Sequence, residues 1–251
     1  MPRDLPAPAG RVCIVLDVLR ASSTLVTLLA RGAAPIYVAA TVEAARVLAE
    51  RLAHRPLLCG EVGGLPPSDF DHGNSPTELG VLALRGRPAI LATSNGTRAL
   101  AALADATAVL VGCFLNASAV AARAVVLARE HHADVALLCA GDEGGTQFSL
   151  EDALAAGCVV AALRAAATDA DYGLDDGALA AWRLYRSYAA TASPGEATIA
   201  GFADACHARE LAALGFQADL SFCARVDSST VVPEVIQEGE TLVIRDSGST
   251  S

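Results

Sequence analysis

The sequence predicts an α/β fold: a mostly parallel sheet flanked by helices, followed by a C-terminal lobe of helices and strands. Two observations carry this. Short apolar runs rich in β-branched residues alternate with longer alanine-rich runs, the pattern of strands joined by helical crossovers. The strand candidates are apolar throughout rather than alternating, as expected where helices cover both faces of a parallel sheet.

The strands are expected at Val12–Asp17, Ile36–Ala40, Leu57–Cys59, Ala89–Ala92, Ala108–Val111 and Val135–Cys139. Thr41 reads as the N-cap of a helix through Ala53. Ser75-Pro76-Thr77-Glu78 combines a capping box with proline at the first helical position. Ser149 opens a helix toward Arg164, with Glu151 and Asp152 in its first turn, where the helix dipole favours acids. The pattern changes near Ala167, so residues 1–166 form the core and 167–251 a lobe or a continuation of the same domain. There, helices are expected around Gly177–Ala190 and Phe202–Leu214, strands at Leu220–Val226 and Thr241–Ile244, and a disordered tail at Ser247–Ser251.

Composition excludes several functions. The chain has 251 residues, 53% of them hydrophobic, and a net charge of −10, so a sizeable core is affordable and a nucleic-acid partner is not expected. All 18 basic residues are arginine. Without lysine there is no Schiff-base lysine, Walker-A lysine or kinase-type lysine. The 7 scattered cysteines read as reduced structural thiols, and no signal-peptide or membrane-spanning pattern is seen; a cytoplasmic location is expected.

Open parallel sheets bind ligands beyond the carboxyl ends of their strands. Polar clusters fall there repeatedly: Asp17 with Arg20 to Thr24, Gly60-Glu61, Thr93 to Thr97, Asn116, and Gly141 to Gly145. Asp17 and Glu61 are hard oxygen donors suited to Mg²⁺. Ser22, Ser23 and Thr24 open a helix whose amides and hydroxyls suit an anion, with Arg20 as a bidentate clamp. Thr93, Ser94, Asn95, Gly96 and Thr97 have the composition of a tight turn whose amides face an oxyanion, with Arg98 beside it. Plainer readings stand beside these: a turn aspartate, a simple helix cap, a loop glutamate, dipole compensation by Glu151 and Asp152, and a loop histidine at His72. Asp17 is followed by Val18 and Leu19, not by the second aspartate of an aspartyl-phosphate signature, and Cys13 and Arg20 are one residue too far apart for the nucleophilic-cysteine signature. No GxSxG or HExxH motif occurs.

These stretches, taken together, resemble the 2-phosphosulfolactate phosphatases. The resemblance rests on Asp17-Val18-Leu19-Arg20-Ala21-Ser22-Ser23-Thr24, Gly60-Glu61, Gly73-Asn74-Ser75-Pro76-Thr77-Glu78, Thr93-Ser94-Asn95-Gly96-Thr97, Asn116, and Ser149-Leu150-Glu151-Asp152 with Ala156-Gly157, and more weakly on Asp227 with Val232-Pro233. It implies an α/β fold, Mg²⁺ dependence, and hydrolysis of 2-phospho-3-sulfolactate to 3-sulfolactate and phosphate, a step associated with coenzyme M synthesis. The sequence departs from the pattern at Val62, where a basic residue is implied, and at Ser94, where threonine is. Other readings are a phosphatase of another small anionic metabolite and a non-catalytic phosphate-ligand binding protein.

On the phosphatase reading Asp17, Arg20, Glu61 and Asn95 are catalytic. Ser22, Ser23, Thr24, Thr93, Ser94, Gly96, Thr97 and Asn116 bind phosphate or substrate. Asp17 and Glu61 hold Mg²⁺, with Glu151 and Asp152 contributing. The nucleophile is water or Asp17. A small anionic phosphorylated substrate is the expected partner, with no membrane and no nucleic acid, and a homodimer is the default for an enzyme of this kind.

Overall fold

A computed structural model describes residues 8–93, 99–100, 103–167, 173–190 and 192–248. The apolar runs form the expected strands: β1 (Arg11–Leu16), β2 (Ile36–Ala39), β3 (Leu57–Gly60), β4 (Ala89–Ala92), β5 (Ala108–Gly112) and β6 (Asp134–Cys139). Two more follow, β7 (Pro233–Glu238) and β8 (Thr241–Asp246). The helices are α1 (Ala21–Ala30), α2 (Val42–Arg51), α3 (Pro76–Leu79), α4 (Ala117–His131), α5 (Leu150–Ala166), α6 (Asp176–Ala189), α7 (Pro194–Asp204), α8 (Cys206–Ala213) and α9 (Gln217–Cys223).

The three caps read from sequence are made. Thr41 accepts from the Ala44 amide at 3.0 Å, Ser75 from the Glu78 amide at 3.2 Å and Ser149 from the Asp152 amide at 3.2 Å. Each satisfies an N–H that the helix itself leaves open.

All eight strands lie in one mixed sheet, in the order β3-β4-β2-β8-β7-β5-β1-β6. Two parallel trios, β3-β4-β2 and β5-β1-β6, are joined by the antiparallel β7–β8 hairpin. The C-terminal strands therefore sit in the middle of the sheet. Three antiparallel steps separate β2 from β5, so the trios run in opposite senses along the sheet. Alternate residues of β1 feed two cores: Val12, Ile14 and Leu16 pack on one face with α4 and α5, and Cys13 and Val15 on the other with Leu25 and Leu28 of α1.

Two sequence expectations fail in the C-terminal region. Leu220–Val226 is not a strand: α9 covers Gln217–Cys223, and it buries Asp219 and Cys223, four residues apart on one helical face. Its aromatic and apolar content suits a strand, but Gly215 at φ +96° ends the preceding helix and Asp219 finds its partners only from a helix. The single helix expected over Phe202–Leu214 is two, α7 and α8, broken at the extended, buried Ala205.

The close approach of α5 and α6 depends on Gly157. A Cβ there would lie 2.1 Å from the Ala181 carbonyl oxygen and 2.6 Å from Tyr185 Cβ. Alanine is the better helix former by about 1 kcal/mol. A clash with backbone outweighs that gain, and overpacking typically costs about 1–3 kcal/mol. Gly157→Ala is therefore expected to lower the urea midpoint of unfolding while leaving the far-UV circular dichroism unchanged; a higher midpoint would show that the helices separate freely.

Candidate active site

The site begins where β1 stops. Leu16 is its last strand residue, and Asp17 follows, with its side chain turned back onto the start of α1. The Asp17 carboxylate accepts from the Ala21 amide at 3.3 Å, and its carbonyl accepts from the Ser22 amide at 2.7 Å. The Asp17 amide donates to Ser22 Oγ at 2.9 Å. Asp17 thus caps α1 from four residues upstream and is 8% exposed.

Asp152, from the first turn of α5, reaches across to the same loop. It accepts from the Val18 amide at 2.9 Å through Oδ1 and from the Gly141 amide at 3.1 Å through Oδ2. It clamps the loop after β1 to the loop after β6. Both of its oxygens serve the backbone, so it acts in the apo protein as a brace rather than as an open ligand. Its neighbour Glu151 is 2% exposed.

Asp17, Glu61, Asp142, Glu151, Asp152 and His207 share one electrostatic neighbourhood. Burial pushes the Asp17 carboxyl up to about 6 from 3.8, against the pull of the Ala21 amide and His207; Glu61 and Glu151 push it further. Burial raises Glu151, with Asp142 adding to it. Asp152 is raised well above its ordinary value by burial and by Asp17. Among the described residues no three His, Cys, Asp or Glu side chains already converge tightly enough to form a metal centre. The donor chemistry nevertheless fits a hard divalent cation: crowded carboxylate oxygens, with burial raising Asp17, Glu151 and Asp152.

Arg20, expected as an anion clamp, spends its guanidinium on the protein. Nη1 donates to Asp219 Oδ2 at 2.8 Å, Nη2 donates to the Gly64 carbonyl at 2.7 Å, and the guanidinium carbon lies 4.1 Å from the Phe216 ring centroid. Its side chain is 2% exposed. The expected anion-binding row is also turned inward. Ser23 Oγ donates to the Val18 carbonyl at 2.9 Å, and Thr24 Oγ1 to that of Asn74 at 3.4 Å. The amides of Ala21, Ser22 and Thr24 are taken by Asp17 and Arg20. Ser22 differs: its Oγ accepts from Asp17, and the hydroxyl proton is left to donate.

Ser22 lines a small cavity with Asp17, Ala21 and Thr93, walled by Val15, Leu25, Val38, Leu91 and Val111. Residues of β1, β2, β4 and β5 meet there, so the sheet coils enough to bring its two trios together. Asn116 is elsewhere. It is fully buried, accepts from the Cys113 amide at 3.0 Å, and donates to the Val111 and Val231 carbonyls at 3.2 and 3.1 Å. Its polar atoms tie β5 to the segment before β7, not to a ligand. Asp227 accepts from the Ser118 amide and hydroxyl at 2.7 and 2.6 Å and so caps α4. Ser94, Asn95, Gly96, Thr97 and Arg98 lie outside the described residues.

Sequence reasoning missed Asp219 and His207. The mistaken strand hid the first, and the second lies on α8 with Nε2 3.0 Å from the Leu19 carbonyl oxygen. It also passed over Cys158 and Arg164, which do carry the Cys-x5-Arg spacing. Both lie within α5, and burial pushes the Cys158 thiol up to about 11, so the loop cradle and thiolate of that chemistry are not formed.

The raised Asp17 carboxyl makes a signed prediction for the metal-free protein. Its folded value, about 6, lies above its unfolded value. The native state therefore binds the proton more tightly, and this contribution is present at low pH and lost as pH rises through about 6. Asp17→Asn is expected to raise urea stability more at pH 6.5 than at pH 4.5, by on the order of 1–3 kcal/mol. An equal effect at both pH values would mean that Asp17 is not strained by its charge.

Comparison with known proteins gives the family. The family model described as 2-phosphosulpholactate phosphatase matches residues 2–238. A probable 2-phosphosulfolactate phosphatase of Deinococcus radiodurans is 38% identical over 226 residues, 90% of this chain and 88% of that protein. Proteins of the same description from Pseudothermotoga lettingae and Carboxydothermus hydrogenoformans are 34% and 36% identical, over 93% and 96% of this chain and 94% of each relative. The chain belongs to the 2-phosphosulpholactate phosphatase family, a family of phosphoric monoester hydrolases.

Proposed function

We propose that the chain hydrolyses the phosphate monoester of 2-phospho-3-sulfolactate, giving 3-sulfolactate and phosphate, and that it does so with Mg²⁺. The substrate comes from the names carried by its family and relatives. The observation that supports the metal is the buried carboxylate cluster at the end of β1. Such a cluster repels an anionic substrate unless a cation stands between them. Arg20 does not supply that charge, because Asp219 already neutralises it.

Asp17 and Glu61 would hold the ion, with Glu151 beside them. A divalent cation held by these carboxylates would supply the positive charge that a phosphoryl group needs. Ser22 keeps a hydroxyl proton to spare at the wall of the small cavity beside Asp17. Thr93, Asn95 and Thr97 are assigned to the phosphoryl oxygens on sequence grounds alone. Asp152 keeps the loops after β1 and β6 at fixed separation, so that these groups are in place before the substrate arrives. Water is the nucleophile, and Glu151, raised by burial, accepts its proton.

The substrate's second anion bears on Val62. This residue is 63% exposed in the turn that follows Glu61, where its amide donates to the Leu65 carbonyl at 2.9 Å. It offers no charge to a sulfonate or carboxylate.

Phosphate release from phosphosulfolactate, phospholactate and common sugar phosphates, with Mg²⁺ and with chelator, tests the reading. Metal-dependent turnover of the sulfonate in preference to phospholactate is expected. Asp17→Asn is expected to lower kcat about 10²–10³-fold with the fold retained. Wild-type turnover in chelator would remove the metal from the mechanism, and turnover indifferent to the sulfonate would replace the substrate.

A further inference from the structure

Arg20 and Asp219 are 199 residues apart in sequence, yet they meet in the core beside the site. The pair is not an isolated salt bridge. Asp219 Oδ1 accepts from Ser75 Oγ at 2.7 Å and from the Thr77 amide at 3.2 Å, which fixes it to the start of α3. Asp219 Oδ2 takes Arg20. The other end of the guanidinium holds the Gly64 carbonyl, and the Gly64 amide donates to Glu61 Oε2 at 2.9 Å. One peptide unit further along the chain than Gly63, the same glycine thus receives Arg20 on one side and presents Glu61 on the other. Gly64 has φ +82°, a conformation that glycine adopts without steric cost. Phe216 closes the face of the guanidinium at 4.1 Å and limits its reorientation.

We propose that Asp219 and Arg20 are positioning residues that act through Gly64 to set the Glu61 carboxylate, and that Arg20 does not contact the substrate. The chain of bonds runs from α3 through Asp219, Arg20 and Gly64 to Glu61. Each link is within hydrogen-bond distance, and the side chains of Arg20 and Asp219 are each 2% exposed. An arginine serving a substrate phosphate would need its paired N–H groups turned into a solvent-reachable cavity. Here they are turned onto a carboxylate and a backbone carbonyl. This inference rests on the reading of Glu61 as an Mg²⁺ holder. Partners of this kind orient a ligand carboxylate, and losing them typically weakens metal affinity about 10–100-fold.

Three variants test it: Asp219→Asn, Arg20→Met, and the double replacement Arg20→Met with Asp219→Leu. Removing one partner leaves a buried charge alone and endangers the fold, whereas an apolar pair of similar volume keeps a buried site packed. The double variant therefore stays informative if the single ones unfold. Mg²⁺ is titrated at saturating phosphosulfolactate, and phosphosulfolactate at saturating Mg²⁺. The expected result is an Mg²⁺ half-saturation raised at least about tenfold, with substrate KM at saturating Mg²⁺ little changed. A raised substrate KM with unchanged Mg²⁺ half-saturation would overturn the proposal in favour of a direct substrate contact, and so would no change in either.

Amide hydrogen exchange of the turn carrying Gly64, measured without metal, separates this idea from the Mg²⁺ reading. If the wild-type enzyme ignores chelator, the Mg²⁺ reading fails, and faster exchange of the Gly64 amide in the double variant still supports the positioning chain. Unchanged exchange there refutes it.

Discussion

The burial of carboxylates at the end of β1 is the constraint on which the rest of the site depends. A charged group removed from water needs a partner, and without one its proton affinity rises. Here the partners are mostly backbone amides: Ala21 for Asp17, Val18 and Gly141 for Asp152, Gly64 for Glu61. The bonds to Asp17 and Asp152 hold carboxylates that are buried, whereas Glu61 is half-buried. None brings the full positive charge that would quiet the cluster, so the arrangement is better suited to a divalent cation than to water.

The same constraint explains why the C-terminal region belongs to the chemistry. The β7–β8 hairpin fills the gap between the two parallel trios, with β8 pairing to β2 and β7 to β5. Helices α8 and α9 then lie over the loops that carry the carboxylates. α8 brings His207 to the Leu19 carbonyl, and α9 brings Asp219 to Arg20. The loop after β1 is therefore held from three directions, by α5, α8 and α9. Truncating the chain before α8 would remove both the central hairpin and these restraints.

The core strands were legible in the sequence because apolar runs such as Cys13–Leu16 and Ala89–Ala92 are buried on both faces and need no tertiary context to be recognised. The caps at Thr41, Ser75 and Ser149 were legible because a capping side chain acts within its own turn. Asp17 and Glu61 were legible as acids at strand ends. What was not legible is direction. Ser23, Thr24 and Asn116 have the right chemistry for an anion site, but their polar atoms point into the fold: Ser23 to the nearby Val18 carbonyl, Thr24 and Asn116 to carbonyls of distant segments. Asp219 was lost for the complementary reason. Local composition suggested a strand, whereas a long-range ion pair and an i, i+4 buried face require a helix. β7 opens with Pro233 and sets only Val235-Ile236 between Glu234 and Gln237-Glu238, so its strand signal is masked although it pairs within the sheet.

The allocation of the arginines bears on how an acidic chain could accept a substrate that is itself highly anionic. Net charge is −10, and every basic residue is arginine. Several are committed away from the cluster: Arg46 to Asp69, Arg55 to Asp71, Arg245 to Glu238, and Arg164 and Arg186 to the Trp182 ring. Arg20, the one nearest the carboxylates by sequence, is neutralised by Asp219. A field of this sign steers anions away, and the effect is strongest where low-dielectric walls focus it. The attraction that draws a phosphate to the end of β1 must then be local and short-ranged. On the proposed reading, a small ion of high charge held by Asp17 and Glu61 would meet that need. It also gives the buried pair Arg20–Asp219 a reason to be rigid: a cation site is only as selective as the geometry of its oxygens.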